Sequence, residues 1–155
     1  MSMVLERTHP IVLKYIDNIK YILKYIKIED VHNPWCLYEA LAYSLNDGHT
    51  WENILCAIKE KYKDLIDSYD TKYDISGMNI FSILGLESEE EKIKYIDNLS
   101  YGSNIELFLF SILEDRKIFN HTLIRKSDGK INLSIDKYNS SNHDDDPRSL
   151  HILFT

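Results

Sequence analysis

The chain has 155 residues, of which 44% are hydrophobic and 28% charged, and 25 acidic against 18 basic residues give a net charge of −7. This length suits one globular core, so we expect residues 1–155 to form a single domain. The acidic balance opposes phosphate backbones and anionic lipid surfaces, which argues against nucleic acid as a partner.

The cysteine content and the absence of targeting signals indicate the compartment. Cys36 and Cys56 offer no disulfide framework, which favours a reducing intracellular environment. No secretory signal is evident, and lysines interrupt the apolar-looking segment 11–28, so we expect no membrane span and a soluble, cytoplasmic protein. Heavy use of Ile, Lys, Asn and Tyr suggests a virus or an intracellular bacterium as the source, and hence host cytoplasm as the location. The oligomeric state stays open.

Helical spacing dominates the N-terminal segment. Pro10 stands at a first-turn position, and the apolar residues of one stripe oppose a lysine-rich face. The residues of the stripe are Val12, Ile16, Ile19, Leu23 and Ile26. We therefore predict a first helix there, with Met1 to about Asp30 as an N-terminal helical extension of the domain. Docking on the protein's own core is the favoured interpretation, and a membrane-surface helix is the alternative.

A thiol stands where a turn becomes an apolar helix. Pro34 ends the preceding segment, and small or apolar residues recur at helical spacing after Cys36. At a helix N-terminus, unpaired amides and the positive end of the helix dipole stabilise a thiolate. Cys36 is thus a candidate nucleophile, although a lone cysteine at such a position is more often a buried small hydrophobe.

Four more helices are predicted before residue 113. Thr50 caps a long amphipathic helix over 51–69, and residues 79–84 suggest a short helix that Gly85 closes. Capping boxes at Ser88 and Ser103 open the last two. The acidic residues 89–91 then stabilise a helix end, with a metal site as the less favoured alternative.

Beyond Arg116 the apolar pattern changes to period two. Residues 118–124 read as one strand, Asp128-Gly129 as a hairpin turn, and residues 131–135 as a second strand. A polar loop over 136–149 precedes a short apolar strand at 150–154. The predicted class is α+β, with a helical N-terminal two-thirds packed on a small C-terminal β-sheet.

A nucleophilic cysteine needs a histidine base. The candidates are His32, His49, His121, His143 and His151, with His9 remote in the first helix. His32 and His49 could also join the two cysteines around zinc, but the spacing fits no known finger. The acidic run at 143–146 lacks the pattern of a calcium loop. We therefore expect neither a metal nor another cofactor.

Three segments, in order, resemble the ovarian tumour (OTU) family of papain-like cysteine proteases, which mostly remove ubiquitin from proteins. Cys-Leu-Tyr-Glu-Ala-Leu at 36–41 looks like the family's nucleophile helix, Asp-Gly-x-Cys-Leu-aromatic-x-Ala-Leu. Residues 101–107, with 116–118, are similar to its Trp-Gly-x-x-x-Glu-Leu helix and following strand. Residues 150–154 resemble its penultimate strand. The resemblance spans about Val31 to Thr155.

The resemblance implies a papain-like OTU-type fold that hydrolyses ubiquitin isopeptide bonds. Cys36 would be the nucleophile, Asn33 would stabilise the oxyanion or orient a side chain, and the backbone amide of Trp35 would donate to the oxyanion. The expected partner is ubiquitin or a ubiquitin-like protein. No metal or cofactor is implied.

Two departures from the family pattern leave the function open. Asn33-Pro34 replaces Asp-Gly, and Pro34 lacks an amide donor that could supply ~2.7–4 kcal/mol if it were used. The family's catalytic histidine is expected several residues past Phe154, and His151 is the nearest substitute as a base. The alternatives are an OTU-like deubiquitinase, an inactive protease-like module that binds ubiquitin or a host protein, and an α+β interaction domain unrelated to ubiquitin.

Overall fold

The computed structural model describes residues 2–3, 5–6, 24–25, 35–45, 47–125, 127–128, 131–139 and 148–154. Five α-helices lie in these ranges. They are α1 (Cys36–Leu45), α2 (Trp51–Asp67), α3 (Ile80–Ile83), α4 (Glu89–Asp97) and α5 (Asn104–Leu113), with a 3₁₀ turn at Thr71–Tyr73. No helix in these ranges combines the length and apolar character needed to cross a membrane.

The described strands form a mixed main sheet and a second sheet that is antiparallel. In chain order they are β1 (Ser2–Met3), β2 (Leu5–Glu6), β3 (Lys24–Tyr25), β4 (Ile118–Arg125), β5 (Ile131–Tyr138) and β6 (Leu150–Phe154). The main sheet has the order β1-β6-β4-β5, and β2 pairs with β3 in a second. Within the main sheet β4 runs antiparallel to β5 and parallel to β6. Five helices and a small sheet, whose three longer strands follow the helices in the chain, confirm the predicted α+β class.

The predicted helix starts are confirmed because they depend on local hydrogen bonds. The Thr50 hydroxyl accepts the N–H of Asn53 at 3.3 Å, and Asn53 Oδ1 accepts the Thr50 N–H at 2.9 Å. Ser103 and Glu106 form the same reciprocal arrangement at α5. Ser88 accepts the Glu91 N–H at 3.1 Å and opens α4, which ends at Asp97 as predicted.

Several predicted boundaries differ from the structure. The helix predicted over 51–69 ends at Asp67, and the Ser68 N–H caps it by donating to the Asp64 carbonyl at 2.8 Å. Lys24–Tyr25, placed by the sequence pattern inside the first helix, instead form β3, since their backbone pairs with Leu5–Glu6. Ser2–Met3 and Leu5–Glu6 also fall within the predicted helical extension and form β1 and β2. The rest of the predicted first helix lies outside the described residues. The second hairpin strand continues beyond residue 135 to Tyr138, because each added residue pairs with β4 as far as Ile118. Cross-strand pairing overrides the polar character of Asp136 and Lys137.

One apolar cluster joins the helices to one face of the main sheet. From α1, the buried side chains Leu37, Tyr38, Ala40 and Leu41 enter it. From the sheet, Ile118, Leu150 and Ile152 enter it. Since side chains alternate along a strand, Leu150 and Ile152 lie on the same face of β6. The helix that begins at Cys36 is thereby fixed against this face of the sheet.

Candidate functional site around Cys36

Cys36 is the first residue of α1, as the sequence predicts, and its side chain is partly buried. The two residues after it are almost fully buried, with Leu37 2% and Tyr38 0% exposed. The Glu39 N–H donates to the Trp35 carbonyl at 2.9 Å, which closes the first turn around Cys36. The backbone N–H groups of Cys36, Leu37 and Tyr38 come before this first bond and have no partner within the helix, so they favour an anion beside the thiol.

Trp35 fixes the approach to this turn. Its ring stacks on Trp51, the first residue of α2, with centroids 4.7 Å apart and planes 14° apart. Such a stack joins the N-terminal ends of α1 and α2. The oxyanion role of the Trp35 amide stays a prediction. Asn33 and Pro34 lie outside the described residues, so their predicted effects stay predictions too.

The second segment that resembles the family motif packs on the same turn. A Cβ atom placed on Gly102 would lie 2.0 Å from Leu37 Cδ2 and 3.0 Å from Leu37 Cβ. The third segment, β6, contributes Leu150 and Ile152 to the cluster that holds α1. The fold thus brings the three segments at 36–41, 101–107 and 150–154 together, although more than a hundred positions separate the first from the last.

Glu106 is a buried carboxyl at the centre of a hydroxyl cluster. It is 1% exposed, and its Oε2 accepts hydrogen bonds from Tyr62 at 2.7 Å and Tyr95 at 3.3 Å. Its Oε1 accepts the N–H and the hydroxyl of Ser103, both at 3.1 Å. Burial raises the pKa of Glu106, while the hydrogen bonds act in the opposite direction. The capping role was predicted, but the tyrosines were not, because no local pattern links distant positions.

The Tyr38 hydroxyl differs from those of Tyr62 and Tyr95. It is buried and has no hydrogen-bond partner among the residues that the structure describes. Burial is the main cause that raises the pKa of Tyr38, and the nearby Glu106 and Tyr95 add to it. A hydroxyl in this state costs free energy in the folded chain.

His121 and His151 form a pair on neighbouring strands. His121 Nε2 lies 3.2 Å from His151 Nδ1, and His151 stacks on Phe119 with ring centroids 4.7 Å apart. Burial lowers the pKa of His121 to about 4. Burial, together with His121, lowers the pKa of His151 to about 3. Both imidazoles are therefore neutral at neutral pH, and one donates to the other.

The alternation of side chains places this pair away from Cys36. Leu150 and Ile152 face the cluster that contains α1, so His151 between them faces the other side of the sheet. There it meets His121 and Phe119. This geometry argues against His151 as the base for Cys36.

His49 lies beyond the other end of α1. Its Nδ1 hydrogen-bonds with Asp47 Oδ1, and this bond lowers the pKa of Asp47. A cleft of 380 Å³ lies there, lined by residues of the 45–57 segment with Phe110 and Glu114. Cys36 and Leu45 are ~13 Å apart along the helix axis, so the cleft is not at the thiol. The candidates His9, His32 and His143 lie outside the described residues.

Comparison with known proteins gives the fold a counterpart. No protein-family model matches the chain, and no curated protein matches it. Among solved structures, the OTU domain of OTUD1 is similar, with a TM-score of 0.55 and 15% sequence identity. The match covers 90% of this chain and 81% of that chain. A likeness at this level of identity shows the fold, so the chain has an α+β, OTU-like fold.

Proposed function

We propose that the chain is an OTU-like domain that acts on ubiquitin as a cysteine-type deubiquitinase, with Cys36 as its nucleophile. One observation carries this proposal. Cys36 opens α1, the first turn of that helix packs on Gly102 of the second segment that resembles the family, and α1 packs on β6, the third segment, in a fold similar to an OTU domain. An arbitrary buried cysteine would not require this convergence.

The proposed chemistry is acyl transfer. The Cys36 thiolate attacks the carbonyl carbon of ubiquitin's C-terminal glycine, and the first-turn amides of Trp35 and Cys36 stabilise the oxyanion. The bond from that carbon to the lysine nitrogen breaks, and a histidine that became an imidazolium by taking the Cys36 proton now protonates the leaving amine. Water then hydrolyses the thioester, which releases ubiquitin and restores the thiol. Asn33 assists by stabilising the oxyanion or by orienting a side chain.

Hydrolysis of ubiquitin carrying a fluorescent C-terminal amide tests this proposal. We expect release of the fluorophore by the wild-type chain and its loss in Cys36→Ala. Cys56→Ala is the matched control, because Cys56 is exposed on α2 and lies outside the proposed site. Equal rates in Cys36→Ala and the wild type would overturn the assignment of the nucleophile.

The second candidate is a module that binds ubiquitin without cleaving it. One observation favours it: of the histidines that the structure describes, His121 and His151 bond to each other on the far face of the sheet, and His49 bonds with Asp47 in the loop after α1. This candidate predicts ubiquitin binding that Cys36→Ala leaves unchanged, together with no hydrolysis. Titration of labelled ubiquitin by NMR measures it. If no shifts appear at millimolar concentration, neither ubiquitin-directed function holds.

A further inference from the structure

We propose that Gly102 is a positioning residue for Cys36, because its missing side chain makes room for Leu37 in the first turn of α1. Only the expected effect on the reaction of Cys36 with ubiquitin rests on the proposed function. The contact itself is a property of the fold.

Space is the reason for a glycine at this position. A Cβ on Gly102 would lie 2.0 Å from Leu37 Cδ2, a distance that real side chains do not tolerate. The contrast with Gly48, Gly77 and Gly85 is informative, since these three have positive φ angles and open space around them. They serve backbone turns. Gly102 lacks a positive φ, so alanine there would meet a steric conflict without backbone strain.

The hydrogen bonds of the next residue restrain the backbone at Gly102, so Gly102 stays close to Leu37. The next residue, Ser103, is the N-cap of α5, and its N–H and hydroxyl both bond Glu106 Oε1. Glu106 is in turn fixed by Tyr62 from α2 and Tyr95 from α4. A methyl group on Gly102 therefore displaces Leu37 rather than the loop. Since Leu37 is buried and directly follows Cys36, the displacement moves the thiol.

The test compares two reactions of Cys36 in a Cys56→Ser background, so that only the Cys36 thiol can react. The first is adduct formation with ubiquitin that carries a C-terminal electrophile, which requires the thiol in its working geometry. The second is alkylation by iodoacetamide, which requires only access. We expect Gly102→Ala to slow the probe reaction by at least ~10-fold, because small misplacements cost reactivity. We expect it to speed alkylation by at least ~3-fold, because the displaced turn exposes a half-buried thiol.

Two further variants separate positioning from a general loss of stability. Gly85→Ala adds the same methyl group in open space and destabilises only through its backbone conformation, so both reactions should stay within ~2-fold of the parent. Leu37→Ala removes the Cδ2 atom, 2.0 Å from the added methyl group, and the Cγ atom, 3.0 Å from it, and leaves only Cβ at 3.0 Å. In the Leu37→Ala background, Gly102→Ala should therefore change either rate by less than ~3-fold.

The outcomes are distinct. Equal effects of Gly102→Ala in the presence and absence of the Leu37 side chain would overturn the proposal, as would unchanged rates in Gly102→Ala itself. If the parent chain forms no probe adduct, the proposed function fails, and the alkylation rates of the four combinations still decide whether Gly102 positions Cys36.

Discussion

Tyr38 and Tyr62 are both fully buried, but only one of their hydroxyls has a partner in the described part of the chain. Tyr62 donates to Glu106 at 2.7 Å, whereas the Tyr38 hydroxyl has no partner there. Burial and the Glu106 carboxyl raise the pKa of both phenols, so each stays protonated. Removing the Tyr62 hydroxyl should therefore lower the free energy of unfolding, whereas removing the Tyr38 hydroxyl should not.

We predict that Tyr62→Phe lowers the free energy of unfolding by about 1–3 kcal/mol, because it removes a hydrogen bond to a buried carboxyl. Tyr38→Phe should change it by less than about 0.5 kcal/mol, or increase it, because the lost hydroxyl was unsatisfied. Urea unfolding of both variants measures the difference. An equal loss in the two would mean that the Tyr38 hydroxyl is bonded in solution.

At the scale of elements, the parallel pair β4 and β6 holds two neutral histidines, the buried His121 and the half-buried His151. The pKa of His121 is lowered to about 4 and that of His151 to about 3, against an ordinary value of about 6.5 in the unfolded chain. Between about pH 6.5 and pH 4, the unfolded chain binds protons that the folded chain excludes. Stability is therefore present above this window and is lost as the pH falls through it.

We predict that His151→Gln reduces this pH dependence. The wild-type free energy of unfolding should fall between pH 7 and pH 5, with about 1–2 kcal/mol of the fall due to each histidine of the pair. Glu106 acts in the opposite direction, since its raised pKa gives stability that is lost as the pH rises. The informative quantity is therefore the difference between wild type and variant.

The exposed His49 supplies the control for that comparison. Urea titrations of the wild type, His151→Gln and His49→Gln at the two pH values give the three differences. If His151→Gln and His49→Gln show the same pH dependence, the pair of His121 and His151 is not its source.

The N-terminus of α2 gives a second prediction at this scale. Thr50→Ala removes the hydroxyl that accepts the Asn53 N–H, and we expect a loss of about 0.5–2 kcal/mol in the free energy of unfolding. Thr71→Ala, at an exposed position in the 3₁₀ turn, is the matched control and should cost less. Thermal unfolding checks both, and equal melting temperatures for Thr50→Ala and the wild type would contradict the role of the cap.

At the scale of the whole molecule, locality explains which predictions succeeded. The caps at Thr50, Ser88 and Ser103 were predictable because donor and acceptor lie within three residues. The bond from Tyr62 to Glu106 spans 44 positions, and no sequence pattern marks it. The pairing of β4 with β6 likewise follows from tertiary packing, so the partner of His151 could not be foreseen.

The candidate site likewise combines a local signal that the sequence shows with distant contacts that only the structure shows. Cys36 was found from a helix start, which is a local signal, and the role of Gly102 became visible only when Leu37 was placed against it. The order of three short segments predicted the fold, while the packing of the other two segments on α1 needed the structure. What the fold adds to the sequence is this convergence around one thiol.

The most direct test of the account is the site of reaction with ubiquitin that carries a C-terminal electrophile, located by mass spectrometry of the digested adduct. The chain offers two thiols, Cys36 at the start of α1 and the exposed Cys56 on α2. We predict one adduct, on Cys36, that is lost in Cys36→Ala and retained in Cys56→Ala. An adduct on Cys56, or none under conditions in which a known deubiquitinase reacts, would contradict the assignment of Cys36 as a ubiquitin-directed nucleophile.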